Sequence, residues 1–259
     1  MRMTTVKEIE QYLKTVEEPV ECLKELEQDQ RSGVQKALKR WWTNYEKQQL
    51  IRQHHVDKIA FDEAYKPFPK AQLAGVDEAG RGPLAGPVVT AAVILPADCD
   101  ALIGLDDSKT IQKEQRQALA EKIKRIAVDY AVHIQPAQVI DQVNIYEATK
   151  QSMEQVVSQL AIAPDVVVAD AMQLRCACPA VSITKADAQS LAVAAASILA
   201  KTTRDAYMDE LHEQYPMYQF NQHAGYGTKI HLTALEQYGP CAEHRTSFEP
   251  IKSMIRKNI

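Results

Sequence analysis

Leu73-Ala-Gly-Val-Asp-Glu-Ala-Gly-Arg-Gly-Pro-Leu-Ala-Gly-Pro-Val-Val-Thr-Ala-Ala-Val-Ile-Leu95 decides the fold of this 259-residue chain. Two apolar runs of strand length enclose Asp77, Glu78, Gly80, Arg81, Gly82 and Gly86. The second run is β-rich and Pro96 stops it, so the stretch reads strand, turn, strand. Adjacent carboxylates in a strand point to opposite faces, and only a bend or bulge brings both to one site. The glycines supply such a bend and let backbone N–H groups approach a ligand closely. Two acids, one arginine and bare backbone fit a divalent metal and a phosphate. A nucleotide loop of the usual kind is excluded, because those loops lead from a strand into a helix and carry a Walker lysine and hydroxyl.

Downstream, strands and helices alternate. A helix is expected from about Lys113 to Ala127, a strand over Tyr130–Ile134, and a helix starting near Tyr146. Asp165-Val-Val-Val-Ala169 is a continuous apolar run, typical of a strand covered on both faces. Val181–Thr184 reads as another strand, and a long alanine-rich helix spans about Gln189 to His212. From Tyr215 the pattern gives loops and short helices. The expected class is α/β: a mixed sheet flanked by helices, with a small C-terminal helical region.

Upstream, residues 1–70 read as an all-helical extension and residues 71–259 as the main domain, with Pro67 and Pro69 in the linker. Thr5 caps a first helix through Ile9, Leu13 and Val16, a second follows Pro19, and a longer one begins near Ser32. Between residues 31 and 59, Arg31, Lys36, Lys39, Arg40, Lys47, Arg52 and Lys58 face only Glu46 and Asp57. Trp41 and Trp42 lie in the same segment. Either the basic and aromatic residues contact a nucleic acid, or the tryptophans pack the helix onto the main domain while the lysines are solvated. The second reading is the expectation.

Hydrophobic residues make up 46% of the chain and charged residues 25%, with a formal charge of −4. That balance gives no overall cue for a polyanionic partner, which would need a local basic patch or metal ions. The five scattered cysteines read as reduced thiols, since Cys176-Ala-Cys178 has no second pair at zinc-ligand spacing. No apolar signal core opens the chain, and Leu191–Ala200 is too short to span a bilayer. A soluble cytoplasmic protein with no membrane partner is expected.

More carboxylates are placed for chemistry. Asp170 follows Val166-Val-Val-Ala169, at the C-terminal end of a buried strand, where α/β ligands bind. Asp187 lies at the start of the long helix, where a cap and a ligand are both open readings. Asp77, Glu78, Asp170 and Asp187 converging at strand ends would raise one another's pKa values unless divalent cations were present. Hard oxygen ligands favour Mg²⁺ or Mn²⁺ over zinc.

Asp-Glu-Ala-Gly-Arg-Gly at 77–82, Asp-Ser-Lys at 107–109 and Ala-Asp-Ala at 169–171 occur in order. Ala-Ala-Ala-Ser-Ile-Leu-Ala-Lys at 194–201, Gly-Tyr-Gly-Thr at 225–228 and His-Arg-Thr-Ser-Phe at 244–248 follow. This series resembles bacterial ribonuclease HII, a type 2 ribonuclease H, over about residues 71–250. The resemblance implies an RNase H-like fold with two metal ions on Asp77, Glu78, Asp170 and Asp187. It implies action on RNA–DNA hybrids and on duplex DNA with embedded ribonucleotides, cutting 5′ of the ribonucleotide and leaving a 3′-OH and a 5′-phosphate; a monomer is expected, though nothing in the resemblance sets the oligomeric state. It further implies that Gly80, Arg81 and Gly82 read the ribose 2′-OH, and that Tyr226 stacks on the following deoxyribose. The 2′-OH distinguishes RNA from DNA at one nucleotide, and type HIII enzymes lack the Gly-Arg-Gly turn. Lys109 is a candidate phosphate contact. Ala186 departs from the family, which commonly has glycine before the aspartate, and the resemblance leaves residues 1–70 without a role.

Overall fold

The computed structural model describes residues 5–105 and 111–257, and the chain packs as two units, Met1–Val56 and Asp57–Ile259. The first contains α1 (Val6–Leu13), α2 (Glu21–Glu27) and most of α3 (Ser32–Tyr65). Thr5 and Glu8 close a capping box: the Glu8 N–H donates to Thr5 Oγ1 at 3.2 Å, and the Thr5 N–H donates to Glu8 Oε2 at 2.9 Å. Ile9, Leu13, Leu23, Leu26, Val34, Leu38 and Trp41 form the core of this unit. On α3, Val34, Leu38, Trp41 and Tyr45 fall on one helical stripe. The Trp41 indole N–H donates to the Val16 carbonyl at 2.8 Å, and its ring stacks on Tyr45 at 5.2 Å. The expected packing of the tryptophans onto the main domain is therefore corrected. Trp41 closes the core of its own unit, and Trp42 packs against the same cluster.

The second unit is built on a five-stranded sheet. Its elements are β1 (Leu73–Ala79), β2 (Val88–Ile94), α4 (Lys113–Ile126), β3 (Asp129–Gln135), α5 (Ala137–Val143), α6 (Ile145–Ser158), β4 (Val166–Asp170) and β5 (Ala180–Ile183). There follow α7 (Ala186–Gln189), α8 (Leu191–Gln214), α9 (Phe220–His223), α10 (Lys229–Tyr238) and α11 (Ile251–Lys257). The strand order is β3-β2-β1-β4-β5; the first three strands are antiparallel, and β1, β4 and β5 are parallel. The mixed sheet expected from the hairpin is thus present.

Strand alternation sorts the core into two layers. Ala74, Val76, Val167 and Ala169 pack with Met153 and Val156 of α6, and Leu73, Val166 and Val168 pack with Ala192 and Val193 of α8. Gly75 lets α8 lie directly on β1, because a Cβ there would collide with the Ala192–Val193 backbone. Gly75→Ala is expected to cost about 1–3 kcal/mol by overpacking.

The last turns of α3 belong to this unit. Phe61 and Tyr65 join the layer beneath α8, Lys58 Nζ donates to the Leu105 carbonyl at 3.2 Å, and Asp62 Oδ2 accepts from the Ala192 N–H at 3.0 Å. Packing consequently divides the chain inside α3, ahead of the proline-containing linker. Two further differences concern helices. The single helix expected from Gln189 is interrupted at Ser190 (φ −104°, ψ 133°), whose side chain accepts from the Val193 N–H and caps α8. The short helix α5 has no counterpart in the sequence reading. Among the described residues no helix is long and apolar enough to cross a membrane.

Candidate active site

Asp77 and Glu78 stand near the end of β1, and Asp170 ends β4. The parallel register Val76↔Ala169 sets Asp77 level with Asp170 on the neighbouring strand. By alternation both lie on the α8 face, and Glu78 lies on the other. The β1–β2 ladder continues unbroken to Ala79↔Val89, so the bend expected between the acids is not in the ladder. The chain turns only at Gly80 (φ +95°). Glu78 is nevertheless close enough to feel both aspartates.

Burial raises the Asp77 carboxyl well above the usual carboxylate range, and the neighbouring Glu78 and Asp170 charges add to the rise. Burial also raises Glu78, against the pull of Arg81 and with a further push from Asp170. The Glu78 N–H donates to Asp77 Oδ1 at 2.7 Å, while the buried Glu78 Oε2 has no hydrogen-bond partner among the described residues.

Asp187 lies in α7, buried, with Oδ1 accepting from the Ala188 N–H at 2.9 Å. The preceding Ala186 N–H donates to Asp170 Oδ1 at 2.9 Å and ties α7 to the end of β4. The fold thus groups Asp77, Glu78 and Asp170, with Asp187 adjoining through that bond. Among the described residues, no three His, Cys, Asp or Glu side chains are drawn in to the spacing of a filled metal site. Even so, the donor set is wholly hard oxygen. An orphaned buried carboxylate oxygen and two carboxyls that resist ionisation are what a divalent cation relieves.

The turn after the acids is held from behind by two buried arginines. Arg245 Nη2 donates to the Gly80 carbonyl at 2.6 Å and Nη1 to the Arg81 carbonyl at 2.8 Å. Its Nε and Nη2 also reach the Gly86 carbonyl, at 3.0 and 2.9 Å. Arg204, from α8, donates to the carbonyls of Pro87, Ala224 and Ala85 at 3.0, 2.9 and 3.1 Å. The two side chains are 0% and 1% exposed, and burial lowers their pKa values to about 9 and about 10. A planar fork with five donors suits this use, whereas lysine offers no such geometry. With the Gly80 and Arg81 carbonyls occupied, the Arg81 and Gly82 N–H groups have no acceptor among the described residues. A Cβ on Gly80 would collide with Arg204 Nε, so glycine is required there for space as well as for its positive φ.

Tyr226 stands beside Gly82 and is 48% exposed. Its carbonyl accepts from His231 Nδ1 at 2.9 Å; His231 Nε2 lies 3.0 Å from His244 Nε2, and His244 Nδ1 accepts from the Cys241 N–H at 2.9 Å. The network assigns one proton to each ring, with His244 Nε2–H donating to His231. A second proton would set two N–H groups head to head. Burial, with repulsion between the imidazoles, lowers both pKa values to about 4. His223 stacks on His231 at 4.6 Å and bonds to the Tyr218 carbonyl. These histidines are the scaffold under the Tyr226 loop.

Arg81 pairs with Glu78 at 3.3 Å, and its side chain remains 40% exposed. Lys201 pairs with Asp205 on α8, which also accepts from Arg116. Lys109 lies outside the described residues. Arg204 was missed by sequence reasoning altogether; Arg245 was noticed only as part of a motif. All their partners but the Ala224 carbonyl are backbone carbonyls more than a hundred positions away, which leave no local pattern.

The family model "Ribonuclease HII" matches residues 74–251, and "Ribonuclease HII N-terminal domain" matches residues 5–66. The chain is 46% identical over 250 residues to a ribonuclease HII of Halalkalibacterium halodurans, covering 96% of this chain and 95% of that one. It is 45% identical over 258 residues to one of Bacillus cereus, covering 99% and 100%. Among solved structures, ribonuclease H2 from Pyrococcus horikoshii aligns with a TM-score of 0.63 at 28% identity, covering 72% of this chain and 98% of that one.

Proposed function

The chain belongs to the ribonuclease HII family and is a ribonuclease H; from that premise we propose that it cuts duplex DNA on the 5′ side of embedded ribonucleotides, as well as the RNA strand of RNA–DNA hybrids. The observation that carries this reading is the placement of Asp77, Glu78 and Asp170 beside a glycine turn whose carbonyls are already engaged and whose N–H groups remain for a ligand.

Asp77, Glu78, Asp170 and Asp187 would hold divalent ions, Mg²⁺ or Mn²⁺ and two during turnover, which would supply an activated water and stabilise the leaving oxygen. The chain's own residues orient the substrate. Gly80, Arg81 and Gly82 present backbone to the ribose 2′-OH, whose absence from deoxyribose then forfeits a hydrogen bond that the turn is built to make. Tyr226 offers an exposed ring to the sugar that follows, and Arg81 a cation to the phosphate. Water is the nucleophile. The bond to the 3′ oxygen of the preceding nucleotide breaks, leaving a 3′-OH and a 5′-phosphate on the ribonucleotide. The enzyme works as a monomer and serves ribonucleotide removal from DNA.

Asp170→Asn keeps the shape of the site and removes a charge at its centre. Turnover of a hybrid should fall on the order of 10³-fold, while hybrid affinity stays measurable by anisotropy. Unchanged turnover would overturn the site assignment.

A further inference from the structure

One carboxylate outside the catalytic set is buried, where charge is costly unless it is matched. Asp62, in the last turn of α3, is 8% exposed and belongs to the second unit. Its Oδ2 accepts from the Ala192 N–H at 3.0 Å, at the start of α8. Burial raises this carboxyl to about 6, against the pull of the Ser190 side chain and of the Ala192 and Leu191 N–H groups. At neutral pH it is therefore charged, and negative charge is favoured at the N-terminus of a 24-residue helix.

Helix α7 carries Asp187 and cannot place it unaided. Its four residues make about one turn, too short to hold a conformation alone. Its position is set from its two ends. At the leading end the Ala186 N–H donates to Asp170 Oδ1. At the trailing end the Ser190 N–H donates to the Ala186 carbonyl at 2.8 Å, and the Ser190 side chain caps α8 through Val193. The start of α8 in turn rests on Gly75, two residues before Asp77, with no room for a Cβ between them. Such a contact resists approach more than sliding, whereas the directional bond from Ala192 to Asp62 resists both.

We infer that Asp62 is a positioning residue for Asp187: from α3 it pins the α7–α8 junction and so sets where that carboxylate stands relative to Asp77 and Asp170. Asp187 is a metal ligand on the nuclease reading, on which this inference rests; Asp62 acts on it through the main chain. The last turns of α3 are themselves held, by Phe61 and Tyr65 in the layer beneath α8 and by Lys58 on the Leu105 carbonyl. The restraint thus comes from a packed helix rather than from a loop. A ligand must be held to within about 0.5 Å of its working position, and residues that orient ligands typically weigh roughly 10–100-fold in metal affinity or activity.

The test uses the full-length enzyme and two variants. Asp62→Leu fills a similar space and removes the acceptor, while Asp62→Asn keeps an acceptor for the Ala192 N–H. Mn²⁺ binding is followed without nucleic acid by the electron paramagnetic resonance of the free ion, a readout separate from cleavage. Asp62→Leu should raise the half-saturating Mn²⁺ concentration about tenfold. The Mn²⁺ needed for half-maximal cleavage should rise in parallel, with KM for the duplex unchanged. Asp62→Asn should recover most of that loss. Should Asp62→Leu fold poorly by circular dichroism, Asp62→Ala supplies the same readouts. A lower melting temperature with unchanged Mn²⁺ binding would overturn the proposal and leave Asp62 a residue of stability alone. Equal losses in Asp62→Leu and Asp62→Asn would also overturn it, because the bond to Ala192 would then not be the agent. Asp187→Asn tests the underlying reading. If it binds Mn²⁺ and cuts as wild type does, the ligand assignment fails; if it is impaired while Asp62→Leu is not, only the positioning role fails.

Discussion

Two sets of cations in this molecule do opposite work. Arg204 and Arg245 are sealed beneath the 80–87 turn, bonded to main-chain carbonyls and with burial pulling their pKa values down. Lys36, Lys39, Arg40 and Lys47 on α3 stand in solvent. A buried guanidinium is desolvated and must be matched bond for bond, so it fixes geometry. An exposed ammonium keeps its hydration and is screened by salt, so it gathers a polyanion without ordering it. Position decides which role a cation plays, and the buried role further requires the guanidinium fork.

Arg245→Met tests the buried set most severely. It strips the donors from the Gly80, Arg81 and Gly86 carbonyls and should cost about 3 kcal/mol or more. At roughly 2–4 °C for each kcal/mol in a domain of this size, calorimetry should find the melting temperature lower by about 6–12 °C. Arg245→Lys should not restore it, because an ammonium cannot span three carbonyls. A melting temperature within a degree of wild type would show that the clamp is dispensable.

The histidine scaffold comes next. His231 and His244 titrate at about 4 in the fold and near 6.5 when unfolded. Their contribution to stability is complete above pH 6.5 and is lost as pH falls toward 4, where the unfolded chain binds protons that the fold refuses. Asp62 and Asp77, whose carboxyls burial raises, push the other way. The informative quantity is therefore the difference in melting temperature between wild type and His231→Gln/His244→Gln. That difference should shrink from pH 7 to pH 4.5, and a constant difference would contradict the neutral network.

For the exposed cations of α3, the variant Lys36→Gln/Lys39→Gln/Arg40→Gln/Lys47→Gln should leave stability within about 0.5 kcal/mol, as surface substitutions do. A large loss would mean that these side chains are structural and would erase the contrast. The smallest expected effect on stability is at Gly82, where an added Cβ meets the Tyr226 ring at an ordinary 3.5 Å. Gly82→Ala should fold normally yet cut a single embedded ribonucleotide more slowly, as followed by gel assay.

The β1–turn–β2 hairpin, the buried strand ending at Asp170 and the Thr5 cap were legible in the sequence because each rests on neighbours a few positions apart. The split at Ser190 was hidden by the alanines around it, since a one-residue break barely disturbs the pattern. Helix α5 escaped because it is seven residues long and sits between Pro136 and Asn144. The tryptophans were visible, but which unit they faced was a tertiary matter. At the site, the acids were legible as residues. The clamp and the histidine relay were not, because their partners are carbonyls and rings brought together by the fold.

The most direct test of the central account, that the clamped Gly80–Gly82 turn reads one 2′-OH beside the carboxylates, is single-turnover cleavage of a labelled DNA duplex carrying one ribonucleotide, with Mg²⁺, Mn²⁺ or EDTA. The same duplex with a 2′-deoxy sugar at that position is the comparison. A single metal-dependent cut just 5′ of the ribonucleotide, absent from the deoxy duplex, is the predicted result. Equal cutting of both duplexes, or cleavage confined to long hybrids, would contradict it.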